Sequence, residues 1–214
     1  MITGRTLGHI PMRTRQKNML LSAFLGAFLF IGSVGNQIEA QVFGFHIQPP
    51  NNWYRVSVRD ISDNLSRLEM SDPQLTKAIS DLKGTLLLVS YAKYNPPEHA
   101  GLIPSFQVNL WNNPTKTFRD FFLMVSKGSE EMRRAWDQFQ YVDKPQIVKI
   151  ASKQSVYFAG KFTVKAADGQ ILKARTRVYA IPKEDKFFQI NLNDGDEDDC
   201  WEVYNGLLRS ITFR

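Results

Sequence analysis

The spacing of apolar and polar residues along this chain changes several times, and each spacing predicts a different element. Residues 85–93 are apolar on both sides of an extended backbone, which favours a central strand covered on both faces. Residues 105–111 alternate between apolar and polar positions, as a strand with one buried face does. Further strands are predicted at 43–47, 54–59, 145–150, 155–165, 170–180 and 186–193, and the last four are expected to form an antiparallel meander.

Apolar residues at intervals of three and four predict three helices. The first spans 71–84, where a Ser-Asp-Pro-Gln start supplies a capping residue and a proline in the first turn. The longest opens at Thr117, and its pattern leaves open whether one helix runs through Gly128 or two helices meet there. The last helix is predicted at about 197–209.

The longest helix carries an apolar stripe that we interpret as core packing, not as a cofactor site. The stripe consists of Phe118, Phe122, Val125, Met132, Trp136 and Phe139.

The first forty residues follow the order of a secretory signal peptide. Four basic residues precede an uncharged run at 19–35, and the segment Asn-Gln-Ile-Glu then leads to the small residue Ala40 at the expected cleavage point. Cleavage after Ala40 would leave a single exported domain, 41–214, in the periplasm or outside the cell. Two alternatives stay open, namely an uncleaved membrane anchor with its basic end in the cytoplasm and a buried helix of the fold.

The overall charge of +6 overstates how basic the domain is. Four basic residues and one acid lie within the first forty residues, so residues 41–214 carry a net charge of +3. This value is too small to indicate nucleic-acid binding. The single cysteine, Cys200, excludes an internal disulfide, and we interpret it as a small buried side chain. The alternatives are an intermolecular disulfide and a reactive thiol.

The hairpin around Ala167-Asp168-Gly169 admits two registers, and the hydrophobic pattern selects one. A three-residue loop with Gly169 in the left-handed region places Phe162 on the same face as Ala174 and Val178. The two-residue alternative would place Phe162 among basic residues. In the selected register one face gathers five basic side chains, namely Lys161, Lys165, Lys173, Arg175 and Arg177. This basic face is either a solvated surface or a docking surface for an acidic partner.

Residues that could carry catalysis or bind metal are few. Residues 41–214 contain only two histidines, His46 and His99, and one cysteine, Cys200. A zinc site of the usual type therefore cannot be assembled there without carboxylate ligands. No nucleophile elbow, P-loop or dinucleotide fingerprint is present. Asn64 lies in a glycosylation sequon that has meaning only in a eukaryotic source.

The acidic segment 193–199 is the one candidate metal site. Its weak candidate ligands for calcium are Asp194, Asp196 and Asp198. The spacing does not match an EF-hand loop, and acids in this position also favour the start of the last helix. No other cofactor is expected.

Three segments resemble PsbP-like proteins: residues 45–53 (FHIQPPNNW), the meander at 154–192, and the closing segment 207–213 (LLRSITF). The resemblance implies an α+β fold in which an antiparallel sheet is sandwiched between helices. It also implies a non-enzymatic role, since relatives include lumenal photosystem II subunits, a Ran-binding import factor and bacterial periplasmic proteins. No functional residue of these relatives matches a motif in this chain.

These observations favour an exported, non-enzymatic binding or accessory protein that stabilises or docks onto another envelope protein. Membrane contact is expected only if the first segment stays uncleaved. The alternatives are a periplasmic hydrolase or thiol enzyme that uses Asp, Glu or Cys200, and a metal or small-ligand carrier built on residues 194–199.

Overall fold

The computed structural model of the protein describes residues 44–56, 86–95, 99, 102–165 and 169–213. The segment 1–40, the sequon at Asn64 and the predicted helix at 71–84 lie outside these residues. The strands are β1 (Phe45–His46), β2 (Tyr54–Arg55), β3 (Leu86–Ala92), β4 (Ser105–Asn112), β5 (Gln140–Ile150), β6 (Lys153–Lys165), β7 (Ile171–Lys183), β8 (Lys186–Gly195) and β9 (Thr212–Phe213). The helices are α1 (Phe118–Ala135) and α2 (Trp201–Arg209).

Strands β2 to β8 form one antiparallel sheet of seven strands. Their spatial order is β2-β3-β4-β8-β7-β6-β5, and β1 pairs separately with β9. The predicted meander from β5 to β8 is confirmed, because each of these strands pairs antiparallel with the next. The described part of the fold is therefore an antiparallel sheet accompanied by two helices.

The β6–β7 hairpin has the predicted register. Phe162 lies opposite Ala174, and Lys161 lies opposite Arg175, which is the pairing that a three-residue loop requires. Gly169 has a φ of 86°, in the left-handed region that glycine adopts without strain. Phe162 and Ala174 consequently share one core cluster with Val178.

Helix α1 is continuous through Gly128, which settles the alternative that the sequence left open. Thr117 caps it by accepting a hydrogen bond from the Asp120 amide at 3.1 Å. The buried stripe differs from the prediction by one position, because Phe121 is buried and Phe122 only partly so. Trp136 and Phe139 follow the end of the helix but still pack against the same core cluster.

Helix α2 begins at Trp201, four residues later than predicted, because β8 extends to Gly195 and a bend precedes the helix. Its Tyr204 and Leu207 are buried in a second core cluster, as predicted for the apolar face. Tyr204 donates a hydrogen bond from its hydroxyl to the carbonyl of Asn193 on β8, and the same hydroxyl accepts one from the Ser105 amide on β4. The helix is thereby fixed to two neighbouring strands.

The two core clusters use alternate residues of the same strands. On β8, Phe187 belongs to the cluster that contains α1, whereas Phe188 belongs to the cluster that contains α2. Because successive side chains of a strand point to opposite faces, both faces of the sheet are covered by apolar side chains. Within the described ranges, no helix combines the length and apolar character needed to cross a membrane.

Gly160 provides a test of the packing between β6 and Phe139, the residue that precedes β5. A Cβ atom added at this position would overlap the ring of Phe139. We expect Gly160→Ala to lower the free energy of unfolding by about 1–3 kcal/mol, the usual cost of overpacking a core. Chemical denaturation followed by tryptophan fluorescence measures the change.

The matched control is Gly206→Ala in α2, where an added Cβ atom meets no atom within 4 Å. This variant should gain about 0.5–1 kcal/mol, because glycine is a poor helix former. Equal effects of the two substitutions would contradict the packing described for Phe139.

Candidate functional site

The acidic segment folds onto the basic face of the sheet and neutralises its centre. Asp194 is completely buried and accepts hydrogen bonds from Arg175 Nε at 2.8 Å and from Arg177 Nη1 at 3.0 Å. The β7–β8 register creates this pair, because it places Asp194 directly opposite Arg175. The amide of Cys200 donates a third hydrogen bond to Asp194 at 3.2 Å. One carboxylate therefore joins two strands to the start of α2.

Asp199 completes the group, which we call the Asp194 cluster (Asp194, Asp199, Arg175 and Arg177). Arg175 Nη2 lies 3.0 Å from Asp199, and the amide of Trp201 donates to Asp199 at 2.9 Å. Burial alone would raise the pKa of Asp199, but the Trp201 amide and the two arginines hold it below its ordinary value. The Trp201 ring lies over the Arg177 guanidinium, 4.8 Å from its carbon, so the aromatic ring shields the cluster from one side.

Asp198 faces a different set of partners on the other side of the bend. It accepts hydrogen bonds from Lys93 Nζ at 2.5 Å and from the Tyr94 hydroxyl at 2.7 Å. Burial opposes ionisation, yet these two donors lower the pKa of the Asp198 carboxyl below its ordinary value. The chain after β3 is thus held against the bend that precedes α2.

The three calcium candidates each face a different cation. Asp194 pairs with the two arginines, Asp198 with Lys93, and Asp196 with Lys161 at 3.3 Å. The residues that the structure describes contain no group of three or more His, Cys, Asp or Glu side chains that could hold a metal ion.

The five basic residues share one face, but only the lysines are exposed. Arg175 and Arg177 retain 13% and 9% side-chain exposure because the Asp194 cluster encloses them. Lys161, Lys165 and Lys173 remain exposed on the outer part of the β6–β7 hairpin. The acidic segment therefore divides the basic face into two parts. The centre, with Arg175 and Arg177, is neutralised, and the edge, with the three lysines, is exposed.

An open cleft of about 710 Å³ lies between this hairpin and the acidic bend. One wall is the start of β7, where Ile171 is 59% exposed between Lys173 and the hairpin loop. The opposite wall is the acidic bend, and the chain after β3 closes one end with His99 stacked on Tyr94 at 4.3 Å. The cleft is lined by Tyr94, His99, Leu102, Gln170, Ile171, Leu172, Lys173, Gly195, Asp196, Glu197 and Asp198.

Cys200 is a buried, free thiol, as the sequence analysis predicted. Burial and the nearby Asp198 carboxylate raise the pKa of the Cys200 thiol to about 12. The thiolate, which is the nucleophilic form, is therefore scarce at neutral pH. His46 lies in β1 opposite Thr212, while His99 stacks on Tyr94, so the two histidines occupy separate parts of the fold.

Comparison with known proteins finds likeness only at the level of structure. No protein-family model and no curated sequence matches this chain. LpqN of Mycobacterium tuberculosis, involved in cell envelope biogenesis, is 11% identical with a TM-score of 0.47, and the match covers 78% of this chain and 82% of LpqN. PA94 of Pseudomonas aeruginosa is 13% identical with a TM-score of 0.44, over 61% of this chain and 81% of that protein.

A third similar structure is the cyanobacterial PsbP of Synechocystis, a member of the group that the sequence resembles. It is 12% identical with a TM-score of 0.41, and the match covers 86% of this chain and 98% of that protein. Because all three scores lie below 0.5, the proposals that follow rest on the residues of this chain.

The Asp194 cluster should dominate the stability of this region. We expect Asp194→Asn to lower the free energy of unfolding by about 3–5 kcal/mol, because it removes the buried carboxylate and leaves the two enclosed arginines with only the half-exposed Asp199 as a counter-charge. Urea denaturation at neutral pH measures the loss. The control is Asp199→Asn, whose carboxylate is half exposed and should cost no more than about 1 kcal/mol. Similar losses in the two variants would show that burial of Asp194 is not decisive.

The thiol of Cys200 should be unreactive while the protein is folded. We expect labelling by a thiol reagent at pH 8 to be at least about a hundredfold slower in the native protein than in the urea-denatured protein, since burial disfavours the thiolate. Intact-mass spectrometry over time measures both rates. Rapid, stoichiometric labelling of the native protein would contradict the burial of Cys200.

Proposed function

We propose that this protein is an exported, non-catalytic binding domain that docks onto another envelope protein through the β6–β7 hairpin. The observation that carries the proposal is the exposed edge of the basic face. There Ile171 is 59% exposed beside Lys173, and both residues line the cleft. An exposed branched side chain framed by lysines is a suitable anchor for a protein surface.

The ion pairs next to this exposed edge support a binding role. Arg175 and Arg177 are held by the buried Asp194, and Lys161 is paired with Asp196 across the cleft. The buried Asp194 pairs hold β7 against β8, and the half-exposed Lys161–Asp196 pair adds a weaker link between the two walls. A partner then loses little free energy in ordering this surface, which favours recognition without chemistry.

The charges on the two walls of the cleft determine which kind of partner surface would fit there. Lys161, Lys165 and Lys173 are exposed on the hairpin wall, whereas Asp196 and Glu197 are exposed on the opposite wall. A complementary segment presents an acidic side towards the hairpin and an apolar residue towards Ile171. This arrangement refines the expectation of a purely acidic partner, because the neutralised arginines contribute little to attraction at a distance.

The proposal also includes export of the domain and its complete layer architecture. The basic flank, the apolar run and the small residue Ala40 at the expected cleavage point support export with cleavage after Ala40. We propose that the domain is an α/β/α sandwich, and the membership of Phe187 and Phe188 in different core clusters supports this arrangement.

Site-specific crosslinking tests the proposal. A photo-crosslinking amino acid at Ile171 should yield a discrete adduct in the native envelope fraction, whereas the same group at Val142, which is 52% exposed on β5, should not. Lys173→Glu should reduce the adduct several-fold, because it reverses a charge on the docking edge. Lys149→Glu, the same charge change at an exposed position of β5, is the matched control and should leave the adduct unchanged.

Two outcomes would overturn the proposal. Equal adducts from positions 171 and 142, or insensitivity of the adduct to Lys173→Glu, would exclude the hairpin edge as a docking surface. Recovery of the protein in the cytosolic fraction alone would exclude export.

A further inference from the structure

Strand β7 begins before its pairing with β8 does, and part of its edge is therefore open. The register of β7 against β8 ends at the pair of Ala174 and Gly195, whereas β7 itself begins at Ile171. On its other side β7 stays paired with β6 as far as Ile171, which lies opposite Lys165. Among the residues that the structure describes, 171–173 thus have a strand partner on one side only. We call their other side the open edge of β7.

The bend after β8 leaves space beside this open edge. The carbonyl of Gly195 accepts a hydrogen bond from the Asp198 amide at 3.4 Å, so the chain turns away and does not continue along β7. Residues 170–173 and 195–198 line the cleft of about 710 Å³, which therefore occupies the space that a longer β8 would fill. This volume lies within the range of about 300–1,000 Å³ that is usual for ligand sites.

The backbone groups of Ile171 and Lys173 point into this space. A two-residue turn joins β7 to β8, so Lys183 and Lys186 form a hydrogen-bonded pair. Such pairs recur at every second residue of an antiparallel ladder, and counting back from Lys183 by twos reaches Lys173 and Ile171. The N–H and C=O groups of Leu172 point to β6 instead. In the described part of the chain, no backbone hydrogen bond joins Ile171 or Lys173 to the acidic bend.

The side chains at the open edge determine which strand would fit there. Ile171 and Leu172 alternate, so they offer apolar contacts on the two faces of an added strand. Lys173 is exposed, and no carboxylate of the described residues lies within ion-pair distance of it. A carboxylate directly opposite Lys173 on the neighbouring strand would form a favourable cross-strand pair. The matching segment therefore combines one acidic residue with two apolar residues.

We propose that the partner adds an extended segment to the open edge of β7 as a short antiparallel strand. Its acidic residue lies opposite Lys173, and its apolar residues lie opposite Leu172 and Ile171. The inference rests on the docking function proposed above and specifies how the partner binds. In this mode the backbone hydrogen bonds give affinity, and the alternating side chains give selectivity.

A labelled peptide tests strand addition on the purified protein. The probe is fluorescein-Ser-Asp-Val-Val-Ser-amide, and fluorescence anisotropy measures its Kd. N-methylation of its Asp residue removes the N–H that would donate to the Lys173 carbonyl, and it should weaken Kd at least about tenfold. N-methylation of the first Val residue is the matched control. That N–H points away from β7, so Kd should change no more than about threefold. A probe with Lys in place of Asp should bind at least about tenfold more weakly.

Two substitutions at one position test the same contact from the protein side. Lys173→Pro and Lys173→Ala both remove the ammonium group, but only proline also removes the N–H at the open edge. Proline is tolerated at a strand edge that has no partner. Lys173→Pro should weaken Kd at least about fivefold more than Lys173→Ala does. The methylated probes are titrated into the parent protein, so they decide the question even if Lys173→Pro does not fold.

The results that would overturn strand addition differ from those that would overturn docking. Equal effects of the two N-methylations, equal Kd values for the two Lys173 variants, or no binding of the parent probe at millimolar concentration would each exclude strand addition. The docking function is judged separately, by the photo-crosslinked adduct from position 171 and its response to Lys173→Glu. An intact adduct together with insensitivity to backbone methylation would show that the partner docks through side chains alone.

Discussion

The buried carboxylate of Asp194 is the constraint on which this part of the structure depends. A buried charge must be matched by opposite charges close by. Arg175 and Arg177 on the neighbouring strand β7 provide these charges for Asp194. Both partners lie on the same side of β7, so the match exists in only one register of β7 against β8. The same carboxylate also accepts from the Cys200 amide, which fixes where α2 begins. The register of β7 against β8, the start of α2 and the acidic wall of the cleft therefore all meet at one ion cluster.

Strands β7 and β8 illustrate how one sheet can support two unlike faces. Odd-numbered residues of β7 hold the arginines, followed by Tyr179 and Ile181 of the second core cluster. Even-numbered residues hold Thr176, followed by Val178 and Ala180 of the first. On β8 the polar residues of both faces lie towards the carboxyl end, as Asn191, Asn193 and Asp194 do, whereas on the even face of β7 Thr176 lies between the core residues Ala174 and Val178. Each face thus combines a packed core with a polar region, and the polar regions differ in kind.

The sequence predicts the elements that depend on periodicity and the register of one hairpin, but it misses the contacts that require two successive registers. The register of β6 against β7 follows from Phe162 and Ala174, because any slip would bury lysines. The start of α1 after Thr117 follows from the sequence, but the predicted stripe takes Phe122 where the structure buries Phe121, and it continues to Trp136 and Phe139 beyond the end of the helix at Ala135. Phe121 and Phe122 differ by about 100° around the helix axis, and both are aromatic, so their spacing does not distinguish them. To predict that Arg175 is enclosed, the register of β7 against β8 is needed as well as that of β6 against β7. Extending the same reasoning through the turn at Glu184–Asp185 places Asp194 opposite Arg175, because Lys183 pairs with Lys186.

The two polar regions of the sheet differ in how their groups are matched. On one face every aspartate of the bend between 194 and 199 has a cation within ion-pair distance, so the region is electrostatically satisfied before it meets a partner. On the other face, Ser90, Gln107 and Asn191 are almost completely buried, and each has a side-chain atom without a hydrogen-bond partner among the residues that the structure describes. Leaving such groups unpaired costs free energy, which the apolar core cluster on the same face must offset. The two faces therefore stabilise one sheet by different means, matched charges on one and apolar packing on the other.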